Sequence, residues 1–122
     1  MKTVTEKNSE YYLQNRVKRK PTKMLNKCRE RAKYHGWEMT LTKDWLEQKI
    51  KAGFCELSGL PFDLSFDTEF THNPNAPSID RIDCNKGYTP ENCRVVLWSL
   101  NHALSEYGLD YLIKVVNAIQ KR

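Results

Sequence analysis

Residues 77–102 read PSIDRIDCNKGYTPENCRVVLWSLNH, and this stretch sets the architecture that we expect. Residues 78–82 and 94–97 are short apolar runs typical of strands, and residues 85–87 between them have the composition of a turn. Residues 98–107 have the pattern of a helix. The predicted order is therefore strand, loop, strand and helix, an arrangement in which one loop and one helix can hold a single metal ion.

Three polar residues stand out in this stretch: Asp80, Asn92 and Asn101. Asp80 lies in a strand between Ile79 and Ile82, where a carboxylate is costly unless it is paired or bound to a cation. Asn92 lies in the loop, where its amide can bond to backbone groups and fix the loop. Asn101 lies in the helix. A carboxylate and an amide oxygen are hard ligands, which suit Mg²⁺ or another divalent cation such as Mn²⁺.

The N-terminal part of the chain is predicted to be helical and basic. Residues 1–20 are polar with weak periodicity and form an arm or a frayed helix. Pro21 suits the first turn of the next helix, which Gly36 ends. Its apolar face repeats every four residues at Met24, Cys28 and Ala32. We therefore expect an arm over residues 1–20 and one domain over residues 21–122.

Further elements flank the 77–107 core. Thr42 is a predicted N-cap for a helix that runs to Gly53. Residues 37–41 and 54–57 are candidates for short strands. Gly108 precedes a predicted final helix over residues 109–120. The buried face of this helix would consist of Leu112, Ile113, Val116 and Ile119. The expected class is α+β, with two short antiparallel strands, a loop and a helix flanked by basic N-terminal helices and a C-terminal helix.

Positive charge is concentrated in the N-terminal part. The chain has a net charge of +5, but residues 1–54 hold 14 Lys/Arg against 6 Asp/Glu, whereas residues 55–122 hold 6 against 9. Such a block attracts a polyanion, because each neutralised phosphate releases counterions. The alternative is a solvated helix face. The predicted nucleic-acid-binding residues are Arg16, Lys18, Arg19, Lys20, Lys23, Lys27, Arg29, Arg31 and Lys33.

Composition and cysteine spacing bear on the cellular location of the protein and on whether it binds zinc. There is no apolar run long enough to span a membrane and no apolar stretch near the first residues typical of a secretory signal, so we expect a cytoplasmic protein. The four cysteines lack the close C-x-x-C pairs of a zinc site, and the nearest candidate, at residues 55–58, ends in Ser. We expect the cysteines to be small core residues.

Three motifs carry a resemblance to a known family. They are PSIDRID at residues 77–83, KGYTPEN at residues 86–92 and VVLWSLN at residues 95–101; upstream, RAK at residues 31–33, LT at residues 41–42 and GFCELSGLPF at residues 53–62 agree with them. Together they resemble the HNH or His-Me finger nucleases, whose core is the ββα-metal motif, and especially small phage-type members. The resemblance covers about residues 28–107. It implies a host-cell cytoplasm if the protein is phage-encoded.

The resemblance implies roles for individual residues. Asp80 matches the first metal ligand and Asn101 the last, while Asn92 matches the Asn that braces the loop. Arg81 stands at the usual general-base position, where it cannot accept a proton because Arg stays protonated in proteins. His102 is adjacent to Asn101 but would point about 100° away on a helix.

Relatives in this family commonly carry two C-x-x-C pairs that bind a structural zinc ion. Their places here hold Cys55, Ser58, Leu97 and Leu100, so we expect no structural zinc and apolar packing in its place.

Two functions remain open at this point. The first is a metal-dependent DNA endonuclease, with nicking of one strand as an open option, that hydrolyses a phosphodiester beside a cation held by Asp80 and Asn101. His72 or Asp83 would then activate water, or water would attack without a protein base, and Arg81 would clamp the phosphate. The second is a catalytically silent relative that binds DNA, mainly through phosphates, or a host protein.

Overall fold

The structure is a computed structural model of the 122-residue chain. It describes the backbone of residues 4–65 and 72–122 and the side chains of residues 20–65 and 72–122. The elements within these ranges, in chain order, are α1 (Val4–His35), α2 (Lys43–Ala52), β1 (Pro77–Arg81), β2 (Cys93–Leu97), α3 (Trp98–Leu104) and α4 (Leu109–Gln120). The α+β class and the strand, loop, strand, helix order of the core are confirmed. No helix in the described ranges is long and apolar enough to cross a membrane.

Helix α1 starts earlier than the sequence predicted. Pro21 lies inside the helix and not in its first turn, so the predicted helix start is wrong. Proline removes one backbone donor from a helix interior, which is the reason that it indicated a start. Helix α1 runs without a break across residue 20. The division into an arm over residues 1–20 and a domain over residues 21–122 stays a prediction. The predicted apolar face of α1 is confirmed: Cys28 and Ala32 are buried, Met24 packs partly buried against them, and Leu25 beside Met24 is buried as well.

Helix α2 has the predicted ends, but the two predicted short strands near it are wrong. The Thr42 side chain accepts a hydrogen bond from the Trp45 N–H at 3.1 Å, and Gly53 ends the helix with φ 90°. In place of strands, residues 37–41 and 54–57 contribute isolated bridges, from Met39 to Tyr88 and from Phe54 to Pro61. Both segments still make single backbone hydrogen bonds, such as Thr40 N–H to the Tyr88 carbonyl and Cys55 N–H to the Leu60 carbonyl, but these bonds do not extend into a ladder.

The two strands pair antiparallel, with Ile79 opposite Val95 at the centre. The backbone groups of Val95 point away from β1: its N–H donates to Glu56 Oε2 at 2.6 Å, and its carbonyl accepts from the Glu56 N–H at 3.0 Å. On the other edge, the Ile79 carbonyl accepts from Asn101 Nδ2 at 3.0 Å. Each outer edge of the sheet is therefore bonded to one polar residue at its centre.

The main core lies between α1, α2 and β2. It is formed by Leu25, Cys28, Ala32, Leu41, Leu46, Tyr88, Cys93 and Val95. A second cluster joins Cys55 to Val96 and Leu97, with Leu100 packed against it. Cys84 is exposed, unlike the other three cysteines, so the prediction of core cysteines is wrong for that residue.

The C-terminal helices differ from the prediction in two respects. Helix α3 ends at Leu104 and not near residue 107, and Ser105, with φ 45°, follows it. Helix α4 has the predicted bounds, but within the described chain it has no buried residue. Of the predicted buried face, Leu112 is half-buried, whereas Ile113, Val116 and Ile119 are 46%, 42% and 65% exposed. The pattern of α4 is amphipathic as predicted, but its apolar face extends beyond the small area that α3 covers.

Candidate functional site

The loop between the strands is held by Asn92. Its Oδ1 accepts from the Asp83 N–H at 2.9 Å, and its Nδ2 donates to the carbonyls of Asp83 and Gly87 at 3.1 and 2.9 Å. Its own carbonyl accepts from the Ile82 N–H at 2.7 Å. The side chain is 7% exposed, so these bonds are shielded from water. Asn92 thus fixes the loop just beyond the end of β1.

The same loop rests on the segment that follows α1. The Tyr88 N–H donates to the Glu38 carbonyl at 2.8 Å, and the Thr40 N–H donates to the Tyr88 carbonyl at 2.9 Å. A Cβ atom at Gly87 would lie 2.3 Å from the Glu38 carbonyl oxygen, which no side chain tolerates. Glycine is therefore required at residue 87 by the close approach of two backbones.

Arg81 contacts this loop in the structure. Its guanidinium carbon lies 3.6 Å from the centroid of the Trp37 ring, and Nη1 donates to the carbonyls of Cys84 and Lys86 at 2.8 and 2.9 Å. A planar guanidinium suits both kinds of contact, since it stacks on aromatic faces and presents donors in its plane. The predicted role of Arg81 as a phosphate clamp would require some of these contacts to be exchanged for phosphate.

Asp80 is buried and paired. It is 6% exposed, and the strand register places it opposite Arg94, whose Nε donates to Asp80 Oδ2 at 2.7 Å. Burial raises the pKa of the Asp80 carboxyl, even though the hydrogen bond and charge of Arg94 and the charge of Arg81 act to lower it. The ionised carboxylate is therefore incompletely compensated, and a further cation beside it would lower the free energy of the charged form.

Asn101 lies in α3, and its side chain contacts the same strand, β1. Its Nδ2 donates to Ser78 Oγ at 2.7 Å and to the Ile79 carbonyl at 3.0 Å. Within the described residues no hydrogen bond uses Asn101 Oδ1. The two bonds of the amide nitrogen thus orient the amide and leave its oxygen available as a ligand.

These two oxygen donors fit the preferences of Mg²⁺, which takes hard oxygen ligands and keeps several waters. In the part of the chain that the structure describes, no group of three or more His, Cys, Asp or Glu side chains is placed to hold a metal ion. Asp80 and Asn101 therefore stay the predicted donor set. They border different clefts, Asn101 the first and Asp80 the second, and Ser105 lines both.

The first cleft lies between α1 and the ββα core and has a volume of about 570 Å³. Its charged and aromatic lining residues are Lys20, Lys27 and Arg31 from α1, with His72, Trp98 and His102 opposite. None of the described residues that line it is acidic. A cleft lined by one sign of charge concentrates the opposite sign, so this one attracts a polyanion.

The predicted catalytic residues are not all in one place. His72 lines the first cleft beside Asn101, with its ring stacked on Trp98 at 4.8 Å between centroids. Arg81 lines the second cleft, of about 230 Å³, together with Asp80. Asp83 lies in the loop, where its Oδ1 accepts from the Asn85 N–H at 2.9 Å. The structure thus places His72 in the same cleft as Asn101 and leaves Asp83 in a turn.

Sequence reasoning set His102 aside because of its angle on the helix, yet it lines the first cleft. Its ring centroid lies 3.9 Å from that of Trp98, one helical turn earlier. The spacing of four residues between Trp98 and His102 was the available signal, since such pairs share a helix face.

The predicted nucleic-acid-binding residues divide by position on α1. Lys20, Lys27 and Arg31 line the cleft. Lys23, Arg29 and Lys33 are exposed and do not line the cleft, and Arg29 Nη1 donates to Asn26 Oδ1 at 3.0 Å. The side chains of Arg16, Lys18 and Arg19 lie outside the described residues.

The places of the family's zinc cysteines hold packed side chains. The Ser58 N–H donates to Cys55 Sγ at 3.4 Å, while Leu97 and Leu100 pack with Cys55 in the second core cluster. Burial raises the pKa of the Cys55 thiol, but hydrogen bonds from Ser58, Leu97 and Leu57 together bring it below its ordinary value. Apolar contacts therefore join these two segments.

Comparison with known proteins identifies the fold. The structure is similar to that of PacI, a rare-cutting HNH restriction endonuclease described for its mechanism of DNA perturbation. The TM-score is 0.58 and the sequence identity 21%, over 84% of this chain and 78% of that chain. No family model matches the sequence, and no curated protein matches it. The chain therefore has an HNH-type fold, as the resemblance of residues 77–101 implied.

Proposed function

We propose that the protein is a metal-dependent DNA endonuclease that hydrolyses phosphodiester bonds. The observation that carries the proposal is the position of the first cleft, which is lined by Lys and Arg side chains of α1. It runs along the ββα core beside Asn101 and has no described acidic lining residue. The fold neighbour PacI is a DNA endonuclease, which supports DNA as the substrate class.

The DNA backbone binds in the first cleft. Lys20, Lys27 and Arg31 contact phosphates from the α1 side, and the backbone position that they fix lies against Trp98 and Asn101. Contacts of this kind give affinity without sequence information. The proposal therefore includes strong salt dependence of binding.

Asp80 and Asn101 hold the divalent cation. Asp80 supplies a carboxylate whose charge is incompletely compensated, and Asn101 supplies an amide oxygen oriented by Ser78 and Ile79. When bound, the cation supplies positive charge beside the scissile phosphate. The proposal requires both ligands to reach one cation from the two clefts, which share Ser105 as a lining residue.

Water activation is assigned to His72. Its imidazole is exposed and lines the cleft beside Asn101, whereas Arg81 cannot accept a proton. Asp83 is the alternative base, since it lies just beyond the end of β1. A positioned base contributes about 10²–10⁴-fold to such a reaction. Arg81 is left as the candidate phosphate clamp.

A catalytically silent DNA-binding protein is the second candidate function. Two contacts favour it: Asp80 is already paired with Arg94, and Arg81 is bonded to the loop. In that case the cleft still binds DNA, but Asp80 and Asn101 serve only the sheet.

A plasmid-nicking assay separates the two candidates. Supercoiled plasmid is incubated with wild type in Mg²⁺ or Mn²⁺, beside Asp80→Ala and the control Asp44→Ala, which removes an exposed carboxylate from α2. We expect wild type and Asp44→Ala to nick at equal rates and Asp80→Ala to be at least about 100-fold slower, the usual scale for the loss of an electrostatic group at the reacting centre. Nicking by wild type that does not exceed that of Asp80→Ala excludes the endonuclease.

A binding assay tests the cleft independently of cutting. We expect Lys27→Ala to weaken binding to duplex DNA and to reduce the slope of log K against log[salt] by about 0.9, the value for one phosphate contact. Lys43→Ala, at an exposed position of α2, is the control with the same charge change, and it should leave the slope unchanged. Equal effects of the two substitutions would show that the cleft is not the binding site.

A further inference from the structure

Helix α4 has an apolar face that the described part of the chain leaves largely uncovered. Its five large exposed apolar side chains are Tyr111, Ile113, Val115, Val116 and Ile119. Tyr107, which is 65% exposed, extends the surface, since its ring centroid lies 5.6 Å from that of Tyr111. At 100° per residue the apolar positions span more than half of the helix circumference.

The spacing on this face is that of a helix-pairing seam. Leu109, Leu112, Val116 and Ile119 are separated by three, four and three residues. This is the a/d spacing of helices that pack along one another. Leu109 and Leu112 are half-buried at the α3 end, so the seam opens toward Ile119.

The exposed apolar area is large for a monomer. With about 150–250 Å² for a fully exposed large side chain, the six residues present roughly 600 Å² per copy. The largest patch on a typical monomer is about 300–600 Å² and is often functional. A standard stable interface buries about 800 Å² on each partner, so the α4 face of each copy would supply most of the area that such an interface needs.

We infer that α4 is the interface of a homodimer, in which the α4 faces of two copies pack together. A second copy brings an identical seam, and a two-fold interface requires only that one surface match itself. The charged residues of α4, Asp110 and Lys114, lie on the opposite side of the helix and stay in water, as does Lys121 just after its end. Since the apolar face carries no charge, it matches the apolar character of homodimer interfaces and not a nucleic acid.

The first test is the mass of the full chain in solution, measured by sedimentation velocity between about 1 and 100 µM. We expect wild type to dimerise in this range. Val116→Asp should weaken the dimer by at least about 100-fold, because it places two unpaired carboxylates in the interface. Asn117→Asp is the matched control, with the same charge change at the adjacent position on the polar side, and should dimerise like wild type.

Three results would overturn the inference: monomeric wild type at about 100 µM, a Val116→Asp protein that dimerises like wild type, or a dimer that Asn117→Asp disrupts equally. Circular dichroism confirms that each variant is folded, and Ile119→Asp, at a 65% exposed site, replaces Val116→Asp if the latter unfolds. Wild type that stays monomeric and sediments with vesicles of phosphatidylcholine and phosphatidylserine would assign α4 to a lipid surface. None of these measurements depends on nuclease activity.

Discussion

Replacing Arg81 with Ala tests whether this side chain holds the loop together. The substitution removes two hydrogen bonds from Nη1 to the carbonyls of Cys84 and Lys86, and the stack on Trp37 at 3.6 Å. Hydrogen bonds of charged groups contribute about 1.5–3 kcal/mol each and a partly exposed cation–π contact about 0.5–1 kcal/mol. Because Arg81 is half-exposed and the two bonds share one nitrogen, we expect a loss of about 3 kcal/mol in the free energy of unfolding.

Urea denaturation at neutral pH measures this loss, with thermal unfolding as a second probe. A loss of about 3 kcal/mol corresponds to a fall of roughly 10 °C in Tm for a domain of this size. Arg81→Lys keeps the charge but not the planar stack, so it should lose about half as much. Arg29→Ala is the control: it removes an exposed Arg on α1 that donates to Asn26, and it should lose less than about 0.5 kcal/mol.

The reasoning is refuted if Arg81→Ala is as stable as Arg29→Ala. If its stability is unchanged while plasmid nicking falls, Arg81 acts on the phosphate and not on the loop. If both fall, the rate is compared at a temperature where each variant is fully folded, so that the two effects separate.

Three further substitutions follow from the structure. Because burial raises the pKa of Asp80 in the folded state, its ionised form costs stability at neutral pH. The free energy of unfolding of wild type, relative to that of Asp80→Asn, should therefore rise as the pH falls from about 7 through that raised pKa. Urea denaturation at two pH values that shows no such rise would contradict this. Gly87→Ala should lose about 2–3 kcal/mol, since a Cβ there meets a backbone carbonyl at 2.3 Å, whereas Gly36→Ala, with φ 72° and open space, should lose about 1–2 kcal/mol; equal losses in thermal unfolding would be inconsistent with the close approach. Glu56→Ala should lose about 1–3 kcal/mol by leaving a buried strand N–H without its acceptor. Lys49→Ala removes the ion-pair partner of Glu56 and a 5.8 Å contact with the Trp45 ring, and it should lose less than about 1 kcal/mol; chemical denaturation that gives the reverse order would contradict the assignment.

Local sequence patterns predicted the core well because its signals are local. The apolar runs on either side of the loop gave both strands to within one residue, and the N-cap pattern at Thr42 gave α2. Asn92 could be assigned to the loop because an amide there has backbone groups within reach. These features depend on neighbours along the chain, which the sequence shows directly.

The rest depended on contacts between distant residues. Nothing in the sequence sets the register that places Asp80 opposite Arg94, so the carboxylate was assigned to a cation without its pairing partner. The contact of Arg81 with Trp37 likewise joins residues 44 positions apart. On α4, periodicity identified the apolar face but could not show that the fold would leave that face open, because periodicity does not name a partner.

The bonds that Glu56 and Asn101 make at the two sheet edges bear on how the protein avoids aggregation. A two-stranded sheet has two open edges, and an open edge can pair with a strand from another chain. Here the N–H and carbonyl of Val95 on β2 are already bonded to Glu56, and the carbonyl of Ile79 on β1 is bonded to Asn101. A foreign strand would have to displace Glu56 to pair with β2 or Asn101 to pair with β1. Self-association through growing β-structure is thereby hindered at both edges of the sheet.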